Sequence, residues 1–392
     1  MSQLNPEIMR WARETAGMSL GEAALALPVG GKRKSGVEIL SSYEDGSEEP
    51  TRSILLRMSK TYRRPLLTFY LPKPPSKAER GEDFRTLPDE RRIEDAASVD
   101  ALVRDVHVRQ RLVRAALEDS EEAHQLLFVG SLRMEHGVQE ATQRLRELTG
   151  FDLQQFRAKR TVGEAFNYAR ALVEQTGIFV MLIGNLGSHH SNLSAQIFRG
   201  FALSDEVAPF IIINDQDAPS AWAFTLLHEF AHILLGLTGI SGGGYEQKVE
   251  RFCNDVASQV LLPTNELGAW RPALGNLDGL VTEINQFASG RRISRSLVAY
   301  RLYLSGRVDE PTWRLLNKTF QDMWAKEKAS QKEKARASDS GPSYYVVKRH
   351  RVGAALVDVV RRTLAEGTLT PTKAGKVLGV KPINVEPLLG SA

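Results

Sequence analysis

The stretch AWAFTLLHEFAHILLGL (Ala221 to Leu237) is apolar almost without interruption and built of helix-forming residues. Just before it, PFIIIND (Pro209 to Asp215) is a β-branched run that predicts a short strand. Asp217 is the expected cap of the helix, with Pro219 in its first turn. Gly236 is the expected stop, with Gly239 and Gly242 to Gly244 beyond it. An exposed edge on the strand feeding this helix would hold an extended peptide by backbone hydrogen bonds. EQKVERFCNDVASQVLLP (Glu246 to Pro263) places Val249, Phe252, Val256, Val260 and Leu261 at roughly helical spacing, which predicts a second, amphipathic helix.

The flanking segments carry a helical pattern too. Up to residue 78, MRWARETAGMSLGEAALAL predicts two short helices split near Gly17-Met18-Ser19. SYEDGSEEPT reads as a helix end and a turn, and SILLRMSKTYRRPLLTFYL as a further helix with an apolar tail. Residues 79–160, with DALVRDVHVRQRLVRAALED and an ATQRLRELTG stretch ending at Gly150, read as a charged helical connector. Lys326 to Ser343 reads as a solvated helix fading into a linker. Gly367 to Leu389 forms a compact helical unit in which Pro382 and Pro387 disfavour a regular recognition helix. The expected division is therefore 1–78, 79–160, 161–325 and 326–392, and the fold class α+β, mostly helical, with a small sheet.

Composition narrows this further. A chain of 392 residues with 42% hydrophobic content supports two or three packed domains. No apolar run approaches a membrane span, and Met1 leads into polar residues rather than a signal peptide, so a soluble cytoplasmic protein is expected. The single cysteine, Cys253, excludes an internal disulfide and is expected to pack rather than ligate. The net charge of +4 is modest. It is concentrated in Lys32-Arg33-Lys34, Arg63-Arg64, Lys326 to Arg336 and Lys348 to Arg351, runs that ordinarily form solvated faces.

The chemistry lies inside the apolar helix. His228-Glu229-Phe230-Ala231-His232 is an H-e-x-x-H motif. Two histidines at i and i+4 lie one turn apart on one helix face, so both can reach one zinc-type metal ion. Glu229, beside the first ligand, is placed to take a proton from an attacking water. On the second helix, Glu250 would complete a His, His, Glu set, and Asn254, one turn on, could orient a ligand imidazole. Glu246 is the alternative ligand. His107, His124 and His136 stand without partner motifs, and His189-His190 read as loop residues.

FTLLHEFAHILL followed by VERFCNDVASQVLLP resembles the ImmA/IrrE family of metallopeptidases, in which the motif helix is followed by E-x-x-x-N-x-x-A-x-x-L-L-x-P. Glu250, Asn254, Ala257, Leu261, Leu262 and Pro263 match in order, and FRGFAL (Phe198 to Leu203) and ISRSLVAYRLYLSGRVD (Ile293 to Asp309) are similar as well. The resemblance covers about residues 160–325. It implies a zincin-like, gluzincin-type domain with one Zn²⁺ per chain on His228, His232 and Glu250, and a cytoplasmic endopeptidase acting on a helix-turn-helix repressor. Tyr300 and Arg301 become the candidates for stabilising an oxyanion. The first segment resembles an Xre-like helix-turn-helix domain through Ser19, Glu22, Ala23, Ala24 and Ser42 to Gly46. There the tight turn is replaced by PVGGKRKSGVE, in which Lys32, Arg33 and Lys34 are the candidate DNA contacts. Binding of operator DNA and docking of a protein partner both remain open for this domain. So does an alternative for the whole chain: a DNA- or protein-binding regulator or antitoxin with a non-proteolytic zincin fold.

Overall fold

The computed structural model of the chain describes residues 4–31, 34–75, 93–187, 191–238, 244–272, 276–336 and 343–390. The fold is α+β and mostly helical, with one small sheet. It begins with four short helices, α1 (Pro6–Glu14), α2 (Leu20–Ala26), α3 (Gly36–Asp45) and α4 (Arg52–Thr61), followed by a 3₁₀ turn at Leu66–Tyr70. The helix starts are set locally. Asn5 caps α1, and Ser19 with Glu22 and Ser35 with Glu38 form reciprocal capping boxes on α2 and α3. Gly46, at φ 80°, ends α3 in the left-handed conformation that suits glycine. The four helices share a core of their own that includes Ile8, Met9, Leu40, Leu55, Met58 and Phe69. The buried Glu44 carboxylate of α3 accepts two hydrogen bonds from Arg13 of α1, at 2.6 and 2.8 Å.

The long helix α5 (Ile93–Asp119) follows, then α6 (Gly137–Thr149), α7 (Leu153–Arg157) and α8 (Val162–Gln175). Strands β1 (Phe179–Leu182), β2 (Gly200–Leu203) and β3 (Phe210–Ile213) form a sheet of order β1-β3-β2, with β1 parallel and β2 antiparallel to β3. The remainder is helical: α9 (Pro219–Leu234), α10 (Gly244–Leu261), α11 (Thr264–Ala269), α12 (Leu277–Gly290), α13 (Arg295–Leu304), α14 (Glu310–Arg336), α15 (Tyr344–Val352), α16 (Ala354–Ala365), α17 (Pro371–Leu378) and α18 (Val385–Leu389).

The sheet is buried on both faces, and its side chains alternate between two cores as strand geometry requires. Val180, Leu182, Ala202, Ile211 and Ile213 enter one core with α6 and with α8 through α14. Phe179, Met181, Phe201, Leu203, Phe210 and Ile212 enter the other, with α5, α16, α17 and α18. The expected strand PFIIIND is therefore apolar throughout because it is the central strand, covered above and below.

Several expectations need correction. β3 has both edges paired, so the strand that feeds the motif helix offers no edge to a peptide; the outer edges of the sheet belong to β1 and β2, and β2 is the one beside the motif helix. Ala218, not Asp217, occupies the N-cap of α9, and no side chain caps that helix, because Asp217 Oδ1 turns back to accept the Ala218 N–H at 2.8 Å. Pro219 does begin the helix, and Gly236, at φ 69°, follows its end. The boundary expected after residue 325 falls inside α14, which runs through it unbroken. The C-terminal helices roof the second face of the sheet, where an exposed row of phenylalanines would otherwise meet water.

This layering makes a stability prediction. Leu356 of α16 is fully buried in the core that also holds Phe179 and Met181. Leu356→Ala should destabilise the protein by about 2–5 kcal/mol, the usual cost of emptying such a site. A denaturant titration followed by sheet and helix signals together should move as one transition. A shift confined to a separate C-terminal transition would contradict a shared core.

Candidate metal centre

α9 supplies His228 and His232, and α10 crosses it to supply Glu250. The two helices make the most extensive helix–helix contact in the fold. α9 is fixed on its other sides by α8 and β2, and at its C-terminal end by the segment before α6. There the Gly130 and Leu132 N–H groups donate to the carbonyls of Ile233 and Leu234 at 3.0 and 2.9 Å. Gly130 and Gly236 approach so closely that a Cβ on Gly236 would lie 3.0 Å from the Gly130 Cα. The end carbonyls of a helix need partners, and the crossing loop at Gly130 and Leu132 provides them here, the glycine permitting the close pass.

The side chains converge. His228 Nε2 and His232 Nε2 are 3.1 Å apart. Glu250 Oε2 is 3.3 Å from His228 Nε2, and Glu250 Oε1 is 2.9 Å from His232 Nε2. For an ion bound tetrahedrally at zinc-type distances, neighbouring ligand atoms stand roughly 3.3 Å apart. The triad thus has the donor types and nearly the spacing of a metal cage, and it is the cluster of such residues found among the described residues. Both histidines are buried, while Glu250 is partly exposed, so the cage is closed below and open to one side.

Electrostatics agree with a site short of positive charge. Burial would raise Glu250, but the hydrogen bonds and charges of His228 and His232 outweigh it and hold the carboxyl far below its usual range. Burial opposes protonation of His228, yet Glu250, Glu229 and Asn254 overcome it and raise its pKa. For His232 burial wins and the pKa is lowered. Glu229 is buried away from charge-solvating water, and its carboxyl is pushed up to about 8, with His228 opposing and the Glu250 charge reinforcing the shift.

Glu229 is not part of the cage; its carboxylate faces β2. A Cβ built on Gly200 would lie 2.9 Å from Glu229 Oε1 and 2.5 Å from Thr225 Cγ2, so only glycine lets the strand pass this close. The strand register explains what Gly200 exposes. Asn214 N–H donates to Arg199 O, so Arg199, Phe201 and Leu203 bond inward to β3, and Gly200 and Ala202 point their backbone groups to the free edge. Ala202 is fully buried, whereas Gly200 is only partly so. The edge is therefore open beside Glu229 and closed further along.

A cleft of about 620 Å³ adjoins this point. Its walls are the start of α9, Asn254 of α10, the α12–α13 turn and the inner face of α14, with Phe224, Tyr300, Trp313, Phe320 and Trp324 giving it an aromatic character. Arg295 ties the walls together, donating to Asn285 Oδ1 at 2.7 Å and to Glu327 Oε1 at 2.8 Å. Lys328 Nζ donates to Gln216 O at 2.9 Å and links α14 to the entrance of α9. The sequence reading did not assign this wall to the site. Its signal was present in Trp313, Leu316, Phe320 and Trp324, apolar residues at helical spacing that run up to the expected boundary.

The other candidates fall as follows. Asn254 lines the cleft and acts on His228, whose Nδ1 is buried without a hydrogen-bond partner of good geometry. Tyr300 lines the cleft as well, with its hydroxyl donating to Asp255 Oδ1 at 2.9 Å. Arg301 is buried elsewhere: its Nη2 donates to Gln259 Oε1 at 2.9 Å and Thr264 Oγ1 at 2.6 Å. Gln259 lies nine residues beyond Glu250, about 13 Å along the helix. Cys253 is fully buried, and burial first, then the Glu250 and Glu229 charges, keep its thiol protonated. Lys34 is ion-paired with Glu48. Lys32, Arg33, His189 and His190, and the side chain of Glu246, lie outside the described residues.

Comparison with known proteins agrees with this geometry. Residues 176–303 match the family model of the IrrE N-terminal-like domain, Peptidase_M78, from the turn before β1 to the end of α13. The match covers the sheet, both ligand-bearing helices and part of the cleft wall, and points to a metallopeptidase-type domain. No curated protein and no solved structure matches the chain.

Three predictions come from the centre itself. The chain should take up about one equivalent of divalent metal, with His232→Ala losing most of it by elemental analysis; full retention in that variant would reject the cage. Uptake should weaken as pH falls, because imidazoles must be neutral to ligate, and His228 with its raised pKa meets proton competition first. In metal-free protein, the Glu229 carboxyl rises from 4.5 unfolded to about 8 folded. The unfolded chain then releases this proton first, so the group costs stability progressively between those two values. Glu229→Gln should flatten that part of a stability-versus-pH curve measured with chelator present.

Proposed function

We propose that the chain is a zinc-dependent endopeptidase acting on a protein substrate, in keeping with the family match at residues 176–303. One observation carries the reading. The buried Glu229 carboxylate, outside the ligand cage, lies against Gly200 where the β2 edge is open. A peptide strand pairing with the backbone of Gly200 would bring a carbonyl between the ligand cage and the base. The Nε2 atoms of His228 and His232 with the Glu250 carboxylate suit Zn²⁺, two imidazoles and one carboxylate leaving a fourth position open. When bound, zinc would polarise the scissile carbonyl and acidify a water. Glu229 would accept the proton of an attacking water and pass it to the leaving amine.

Asn254 orients the His228 ring from α10. Tyr300 and Arg301 are both engaged by α10 or α11 partners, so we assign Tyr300 to holding the cleft wall and Arg301 to joining α13 to α10 and α11, rather than either to an oxyanion. The aromatic cleft lies within the size range of ligand pockets, about 300–1,000 Å³, and suits bulky apolar side chains flanking the cut. The described exposed residues of α3 include Glu38, Ser41 and Asp45, an acidic face poorly suited to DNA phosphates. We therefore read the N-terminal bundle as a docking module for the substrate, a helix-turn-helix repressor whose loss would relieve repression. The chain's setting would then be stress response, a mobile element or a toxin–antitoxin pair.

The test is to co-express the protein with repressors encoded nearby and follow fragments by mass spectrometry. Glu229→Gln keeps the shape and removes the base, so it should retain metal and lose cleavage by orders of magnitude. Cleavage surviving in that variant would reject the mechanism. Wild-type protein that relieves repression without cutting would instead support a regulatory binding protein.

A further inference from the structure

Among the described residues that line the aromatic cleft, the charged ones are Arg199, Asp217, Arg295 and Glu327. Arg295 and Glu327 are spent on each other, hydrogen-bonded at 2.8 Å. Asp217 Oδ1 accepts the Ala218 N–H. Arg199 differs. Its side chain makes no hydrogen bond with a described residue, and its Nε stands 3.9 Å from Asp217 Oδ2. That distance lets charge orient the guanidinium and is too long for a hydrogen bond. The N–H donors of Arg199 are therefore unused, and its fork suits a carboxylate. Its backbone is fixed: the Arg199 carbonyl accepts the Asn214 N–H at 2.8 Å. The next residue is Gly200, at the open stretch of the β2 edge beside Glu229.

We propose that Arg199 is a specificity-determining residue, selecting substrates that carry an aspartate or glutamate beside the bulky apolar residue taken by the aromatic cleft. The inference rests on the peptidase reading and adds a sequence preference to it. A peptide strand laid along the β2 edge pairs residue against residue, and directly opposed side chains are in contact. The residue next to the one opposite Gly200 therefore lies against Arg199. A carboxylate there would take the guanidinium donors pairwise, in a charge-assisted contact. Asp217 does not favour a basic residue at this place. Its side chain is 12% exposed against 55% for Arg199, so an incoming group meets the guanidinium first. The same difference in burial makes Asp217 a recessed support that keeps the arginine at the cleft. An uncharged side chain at that peptide position would leave the donors to water and gain no charge-assisted contact. Aromatic anchor and arginine together define a paired preference, apolar and acidic, near the cut.

Two measurements on the full, zinc-loaded chain test this. In the first, a peptide library made by digesting a whole proteome is exposed to wild type and to Arg199→Gln, and new ends are read by mass spectrometry. Aspartate or glutamate should be enriched at one position close to the cut for wild type. Arg199→Gln should erase that enrichment and keep the apolar one. In the second, Glu229→Gln, alone or combined with Arg199→Gln, binds fluorescein-labelled alanine peptides with Glu-Phe or Phe-Glu at the centre. Peptides with Gln in place of Glu are the controls, and fluorescence anisotropy is the readout. With Arg199 present, the better Glu peptide should bind about tenfold or more tightly than its Gln control, and the double variant should lose that ratio. No acidic preference, or one that survives Arg199→Gln, would overturn the proposal. So would an equal loss on Glu and Gln peptides, which marks a structural or backbone-binding role, or a preference for basic residues. Wild type that cuts no peptide would sink the peptidase reading by itself, and the anisotropy ratio would then decide for Arg199 alone.

Discussion

Two histidines and a glutamate, drawn within about 3 Å of one another between two apolar helices, set the terms for the rest of this protein. Ionisable groups buried this closely are costly unless they serve one another or a cation. Their separation tolerates little slack, so α9 and α10 must cross at one depth and one rotation. The fold supplies that constraint. α9 is nearly all apolar because it is packed on several sides, and glycine backbone closes its far end.

The sheet carries the constraint outward. Among the described residues three strands stand beside the metal centre, and so small a sheet is stable only when its faces are covered. One face is covered by the helices that build the site. The other is covered by α5 and the C-terminal helices, elements distant in the chain. The centre thus depends on residues far from it that touch none of its ligands. The close pass of Gly200 beside Glu229 is a product of the same arrangement: the edge strand is pressed against α9, and the open stretch of that edge coincides with the base.

The flanking segments contribute in different ways. The N-terminal bundle has its own core and helix caps, and its internal ion pair joins α1 to α3. α14 packs on the inner core through Leu316 and Phe320 and lines the cleft with Trp313, Phe320 and Trp324; beyond Trp324 its described residues are mostly exposed, which is why its sequence turns charged there. Arg63 and Arg64, one of the basic runs, line a cavity together with Lys60, Arg104, Arg109, Arg111 and Lys376, residues far apart in the chain.

The sequence by itself determined the local features. H-e-x-x-H spacing put both imidazoles on one helix face, since helical geometry is periodic and needs no tertiary context. Glu250 was legible because α10 shows the same periodicity and carries a family-like spacing. The strand PFIIIND, Pro219 in the first turn of α9 and the stop at Gly236 were legible for the same reason. Tertiary structure decided what depends on distant neighbours. PFIIIND could be read as a strand but not as the central one, because apolarity on both faces says that it is covered and not by what. Asp217 has the chemistry of a cap, yet its side chain bonds to the adjacent backbone instead. Arg301 sits in a family-like stretch, but the direction of α13 sends it to Gln259 and Thr264. Which edge stays open, which wall lines the cleft and where the cations collect follow from packing between segments far apart in sequence, and that packing is written in no single window of the chain.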